Sequence, residues 1–184
     1  MRKTITALTI GTALALAATA AATTPKQYGY GGDLMKPWEV SVGGMMFTDD
    51  LDDAGFNTAF TAGIDYYTGY LGESTMSFFG VRGWFGSGGS EVRSYGFHYG
   101  YRIGFDEGNP EAGSFYLKVA GGYYLTDLKS ATLGIDTEKW GFGGFGGFGY
   151  EFAGGFSTEV GYQLAPSVAG VNNTGWYGTI GFRF

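Results

Sequence analysis

The sequence predicts an all-β fold: eight antiparallel strands in up-and-down order, closed into a barrel that crosses a membrane. Three observations carry this expectation. From residue 37 onward, large apolar residues alternate with small or polar ones at a period of two, the pattern of strands with unlike faces. The 184-residue chain holds 36 glycines and 18% aromatics, too aromatic for disorder. The strand-like stretches run to about ten residues or more, longer than most strands of soluble sheets and the length of a tilted strand that spans a bilayer.

The N-terminal segment reads differently. Arg2 and Lys3 precede an apolar run over 5–18, and Ala20, Ala21 and Ala22 supply an A-x-A-like cleavage site. This is the pattern of a secretory signal over 1–22, too short for a comfortable spanning helix. Residues 23–36 read as an irregular tail, and 37–184 as the barrel. The chain has no cysteine, which excludes disulfide staples and thiolate metal sites. Its net charge of −6 and lack of a basic patch exclude a nucleic-acid partner. No cofactor is expected.

The strands follow in order. In 38–47, Trp38, Val40 and Val42 oppose Glu39, Ser41 and Gly43, and the polar TDDLDDAG comes next. In 56–67, Phe56, Phe60, Ile64 and Tyr66 oppose Asn57, Thr61, Gly63 and Asp65, before the turn TGYLGE. In 74–85, Phe79, Val81 and Phe85 oppose Met76, Phe78, Arg82 and Trp84; both faces carry bulk, so a bulge or register change is expected there. In 93–105, Arg93, Tyr95, Phe97, Tyr99, Tyr101, Ile103 and Phe105 oppose Ser94, Gly96, His98, Gly100, Arg102 and Gly104. In 114–126, Phe115, Leu117, Val119, Tyr123 and Leu125 oppose Tyr116, Lys118, Ala120, Gly122 and Tyr124. A polar loop is expected over 127–137. The sixth strand sets Trp140, Phe142, Phe148, Tyr150 and Phe152 against Gly141, Phe145, Gly149 and Glu151. After the tight AGG turn, the seventh sets Phe156, Thr158, Val160, Tyr162 and Leu164 against Ser157, Glu159, Gly161 and Gln163. A loop is expected over 166–174. The eighth, 175–184, sets Trp176, Ile180, Phe182 and Phe184 against Tyr177, Thr179 and Arg183.

The bulky face must point outward. An eight-stranded barrel is only just wide enough inside for side chains, so several large groups per strand do not fit there. A soluble barrel with an apolar cavity, the lipocalin arrangement, is rejected on that volume. Closure also pairs every backbone polar group without an edge, as hydrocarbon demands. A closed barrel of this kind is expected as a monomer. Trp38 at one end and Trp140 and Trp176 at the other fall in the interfacial girdles.

The stretch 37–184 resembles the small outer-membrane β-barrel family of the OmpA transmembrane domain, OmpX and opacity-protein type. The resemblance implies an exported protein of the bacterial outer membrane, surrounded by lipid and lipopolysaccharide. It further implies that Trp176, Ile180, Phe182 and Phe184 form the signal read by the barrel assembly machinery. It implies no enzyme.

Outward aromatics put Glu39, Asp65, Arg82, His98, Arg102, Lys118, Glu151, Glu159, Gln163 and Arg183 in the lumen. Charges in a narrow bore must be paired or hydrated. Balanced signs favour a polar plug of paired charges with a structural or surface-interaction role for the protein; a narrow or gated channel is the alternative. His98 is the single histidine. Ser94 shares its face about 13 Å along the strand, too far for a nucleophile–base pair. Lipid A deacylases of eight-stranded form carry histidine and serine two residues apart; here Gly100 holds that position. The cluster Asp49, Asp50, Asp52 and Asp53 lacks calcium-loop spacing, so no metal is expected. Arg93, outward at the rim, is the candidate to pair with a lipid phosphate. No surface ligand is legible in the loops.

Overall fold

The computed structural model describes residues 37–48, 51, 58–70, 74–87, 90–105, 113–130, 134–152 and 154–184. The expected signal over 1–22, the tail over 23–36 and the acidic residues Asp49, Asp50, Asp52 and Asp53 lie outside them.

The strands are β1 Trp38–Thr48, β2 Thr58–Tyr70, β3 Thr75–Ser87, β4 Ser90–Gly104, β5 Ser114–Ser130, β6 Ile135–Glu151, β7 Phe156–Val168 and β8 Val171–Arg183. Each pairs antiparallel with the next, and β1 pairs with β8, so the sheet closes into an up-and-down barrel. Trp38 N donates to Phe184 O at 3.1 Å and Phe184 N to Trp38 O at 2.8 Å, which continues the seam to the last residue. The barrel has a terminal end, where β1 starts and β8 finishes. The opposite, hairpin end carries the connections β1–β2, β3–β4, β5–β6 and β7–β8.

Side chains alternate as pleated strands require. Phe97, Phe142, Trp176 and Ile180 face out, while Arg82, His98, Arg102 and Lys118 face in and are buried. Three of the four tryptophans, Trp38, Trp140 and Trp176, are exposed on the outside; Trp84 is buried in the bore.

The structure resolves the ambiguous third strand. Phe78, Arg82 and Trp84 are buried and Phe79, Val81 and Phe85 exposed, so β3 keeps its alternation. The irregularity lies in its partner: the β2–β3 register shifts between Tyr67 and Gly69, leaving Thr68 as the extra residue.

Two expected loops are corrected. Residues 127–130 belong to β5 and 135–137 to β6, paired from Asp127↔Glu138 to Ser130↔Ile135. Their charges point outward beyond the apolar belt, so polarity there does not mark a loop. Within the expected 166–174 loop, β7 runs on to Val168 and β8 starts at Val171. The turn is Ala169 and Gly170, with φ of 52° and 85°, the paired positive angles of a two-residue hairpin turn. Phe56 and Asn57, expected in the second strand, lie outside the described residues.

One seam is incomplete. β6 pairs with β7 only from Gly144↔Leu164 to Glu151↔Ser157, so residues 135–143 pair with β5 alone. Pro166 lacks the N–H to extend the ladder. It also crowds Gly141, where a Cβ would stand 2.9 Å from the Pro166 Cβ.

Candidate functional site

The pleat brings charged residues from all eight strands into one bore. At the terminal end, Lys118 on β5 donates to Asp65 on β2 at 2.7 Å and to Glu39 on β1 at 3.3 Å. The other Asp65 oxygen lies 2.6 Å from His98 Nε2 on β4. Arg102 Nη1 stands 3.8 Å from Glu39, and its Nη2 pairs closely with Glu151 on β6. Arg183 on β8 reaches Glu151 at 2.7 Å. Arg82 on β3 stands 3.7 Å from Glu159 on β7. Strands that are not neighbours in the sheet are thus joined across the lumen.

Every lumen candidate except Gln163 belongs to these pairs. Gln163 is buried on the same inner face, and its amide hydrogen-bonds to no described residue. Arg93 is outside, half exposed, and pairs with Glu91 at 2.8 Å. Trp176, Ile180 and Phe184 point outward from the closing strand.

Aromatic residues complete the network, and the sequence reading did not assign them. Tyr67 donates to Glu39, and Tyr177 donates to Glu159 at 2.8 Å. The Arg82 guanidinium lies 4.0 Å from the Phe145 ring centre, Arg102 lies 3.8 Å from that of Tyr116, and Lys118 lies 4.8 Å from that of Phe78. Arg82, Arg102 and Lys118 therefore each have a ring as well as a carboxylate, which compensates part of their lost hydration. The available signal was parity: each of these rings shares the inner face with the charges.

The hairpin end is built from other material. Met45 and Phe47 on β1, Leu51 just beyond it, Trp84, Val92, Leu128 and Val168 are all buried within one apolar cluster. Trp84 reaches across the bore: its Nε1 donates to Asn173 Oδ1 on β8 at 3.3 Å, and its ring lies 5.7 Å from that of Tyr124. The expectation of a lumen closed by paired charges thus describes one half. The other half is packed with apolar side chains, because strand parity fixes where a side chain points and not how polar it must be.

No known family profile matches the chain, and no curated protein sequence does. Solved structures match by shape. Neisserial surface protein A (NspA) superposes with a TM-score of 0.56 at 12% identity, over 80% of this chain and 95% of that one. The N-terminal β-barrel domain of Pseudomonas aeruginosa OprF superposes with a TM-score of 0.53 at 11% identity, over 81% of this chain and 98% of that one. The fold is that of the small eight-stranded outer-membrane barrels. At such identities the likeness concerns backbone architecture, and the lumen chemistry described above stands on this chain's own residues.

The arrangement holds no joined nucleophile and base among the described residues. The Ser94 hydroxyl is bonded to Thr126 at 2.8 Å and the His98 ring to Asp65, so neither addresses the other. What the bore can do is bind strands to one another and fill the space between them.

Proposed function

We propose that the protein is a non-enzymatic integral barrel of a bacterial outer membrane, with a structural or surface-interaction role in the cell envelope. One observation carries the reading: the barrel is inside out. Phe142 is 86% exposed and Phe97 70%, while Lys118 is fully buried. The outward face is an apolar belt that runs around the barrel, far beyond the patch a soluble monomer tolerates. In lipid the same belt is satisfied, and the charges are spared the hydrocarbon.

The shared fold of NspA and the OprF domain supports an outer-membrane location. The expected signal over 1–22 would supply an export route. The lipid and lipopolysaccharide of that membrane would cover the belt. Arg93 would meet a lipid phosphate only by exchanging its bond with Glu91. The outward row Trp176, Ile180, Phe182 and Phe184 would serve the barrel assembly machinery as its recognition element; deleting Phe184 should lower the amount assembled in the membrane, and normal assembly of that deletion would remove this role.

Gel mobility of membrane-extracted protein tests the main reading. A folded barrel should migrate differently boiled and unboiled. An identical mobility, or recovery in the soluble fraction, would falsify the membrane assignment.

A further inference from the structure

We infer that the impermeability of this barrel resides in a dry apolar seal at the hairpin end, made by Met45, Phe47, Leu51, Trp84, Val92 and Leu128. The ionic network lies beneath it, and solvent touches mainly its outermost pair, Arg183 and Glu151, at the terminal end. The inference rests on the membrane-barrel reading and deepens it.

Packing at the hairpin end is dense, and the polar groups at its level, Ser94, Thr126 and Asn173, are buried within it. Leu51, Trp84 and Val92 have no exposed surface. Gly86 shows how little room remains: a Cβ there would stand 2.9 Å from Val92 Cγ1 and 3.0 Å from the Phe47 ring. At Gly175 a Cβ would stand 2.7 Å from the Met45 methyl. Trp84 bridges β3 to Asn173 on β8, across the width of the bore. Water enters a site that offers polar partners, and an apolar constriction stays dry. An ion would have to shed its hydration there without replacement.

The terminal end shows the opposite gradient. The side chains of Arg183 and Glu151 are 16% and 12% exposed, Arg102 falls to 4%, and Lys118 is fully buried. Access thus declines inward from the mouth beside Phe184 and ends below the seal. Neutralising a network charge leaves the seal in place. Shrinking the seal opens the bore even with every ion pair intact.

Single-channel recording in planar bilayers tests this with refolded protein whose heat-modifiable mobility shows that it has folded. The parent, Arg102→Gln and Glu159→Gln should be silent, whereas Trp84→Ala combined with Leu51→Ser should give conductance steps. Since the chain has no cysteine, single cysteines give a second readout that keeps Trp84 and Leu51 in place. Val92→Cys should react with a charged maleimide on the order of a hundredfold more slowly than Arg183→Cys in the folded barrel, and equally fast once unfolded. Conductance in Arg102→Gln, silence in the folded double variant, or equal labelling of the two cysteines would each overturn the seal. A parent with no heat-modifiable shift would instead overturn the membrane reading itself.

Discussion

Lys118 and Leu128 lie on the same inner face of β5, and both are buried. They are held there by opposite means. Leu128 is stabilised by leaving water, and each of its neighbours contributes in the same way on its own account. Lys118 is destabilised by leaving water, and stays only because Asp65 and Glu39 are already in place. The apolar half of the bore is therefore a sum of separate contributions. The ionic half is a set of mutual obligations, in which one loss strands several partners.

Substitutions should expose this difference. The largest effect is expected from Lys118→Met, which leaves Asp65 and Glu39 buried without their shared cation, at a cost of about 3–5 kcal/mol. Denaturant unfolding of the barrel in lipid vesicles measures it. Adding Asp65→Asn should recover much of the loss, because the stranded charge is gone; no recovery would mean that the network is not coupled as its geometry indicates. Next comes Leu128→Ala, at about 2–3 kcal/mol for the cavity it leaves. No second substitution among the charges should rescue it, and its cost should hold across salt concentrations. A rescue would erase the distinction between the halves. The smallest effect belongs to Arg93→Ala in lipid free of lipopolysaccharide, about 0.5 kcal/mol or less, since its pair with Glu91 is half exposed. A cost as large as that at Leu128 would show the outer rim to be part of the stabilising structure.

The strand count and the faces of the strands were legible because the two faces contrast. Along β4, Tyr95, Phe97 and Tyr99 are too bulky for the narrow bore, so Ser94, His98 and Arg102 take the inside. Beyond the belt that contrast fades. Asp127, Lys129 and Asp136 lie outside it, and their stretch reads as loop. Pro166 and the two asparagines Asn172 and Asn173 disguised the end of the last hairpin in the same way. Which lumen charges meet was beyond the sequence, since partners such as Arg82 and Glu159 come from strands that are not neighbours. Phe47, Trp84 and Leu128 had the right parity for the lumen, but a polar lumen was expected, and their bulk carried no label of its own.

The unpaired side of β6 has a consequence in time. Along 135–143 the strand ladder runs on the β5 side alone, so alternate amides have no ladder partner on β7. Those amides should exchange their hydrogens fastest within the strand, while the intervening ones, tied to β5, lag behind. Breathing of the barrel would then start where β6 leaves Pro166 and move toward Gly144, where the ladder to β7 begins, as a zip fastener parts from its open end.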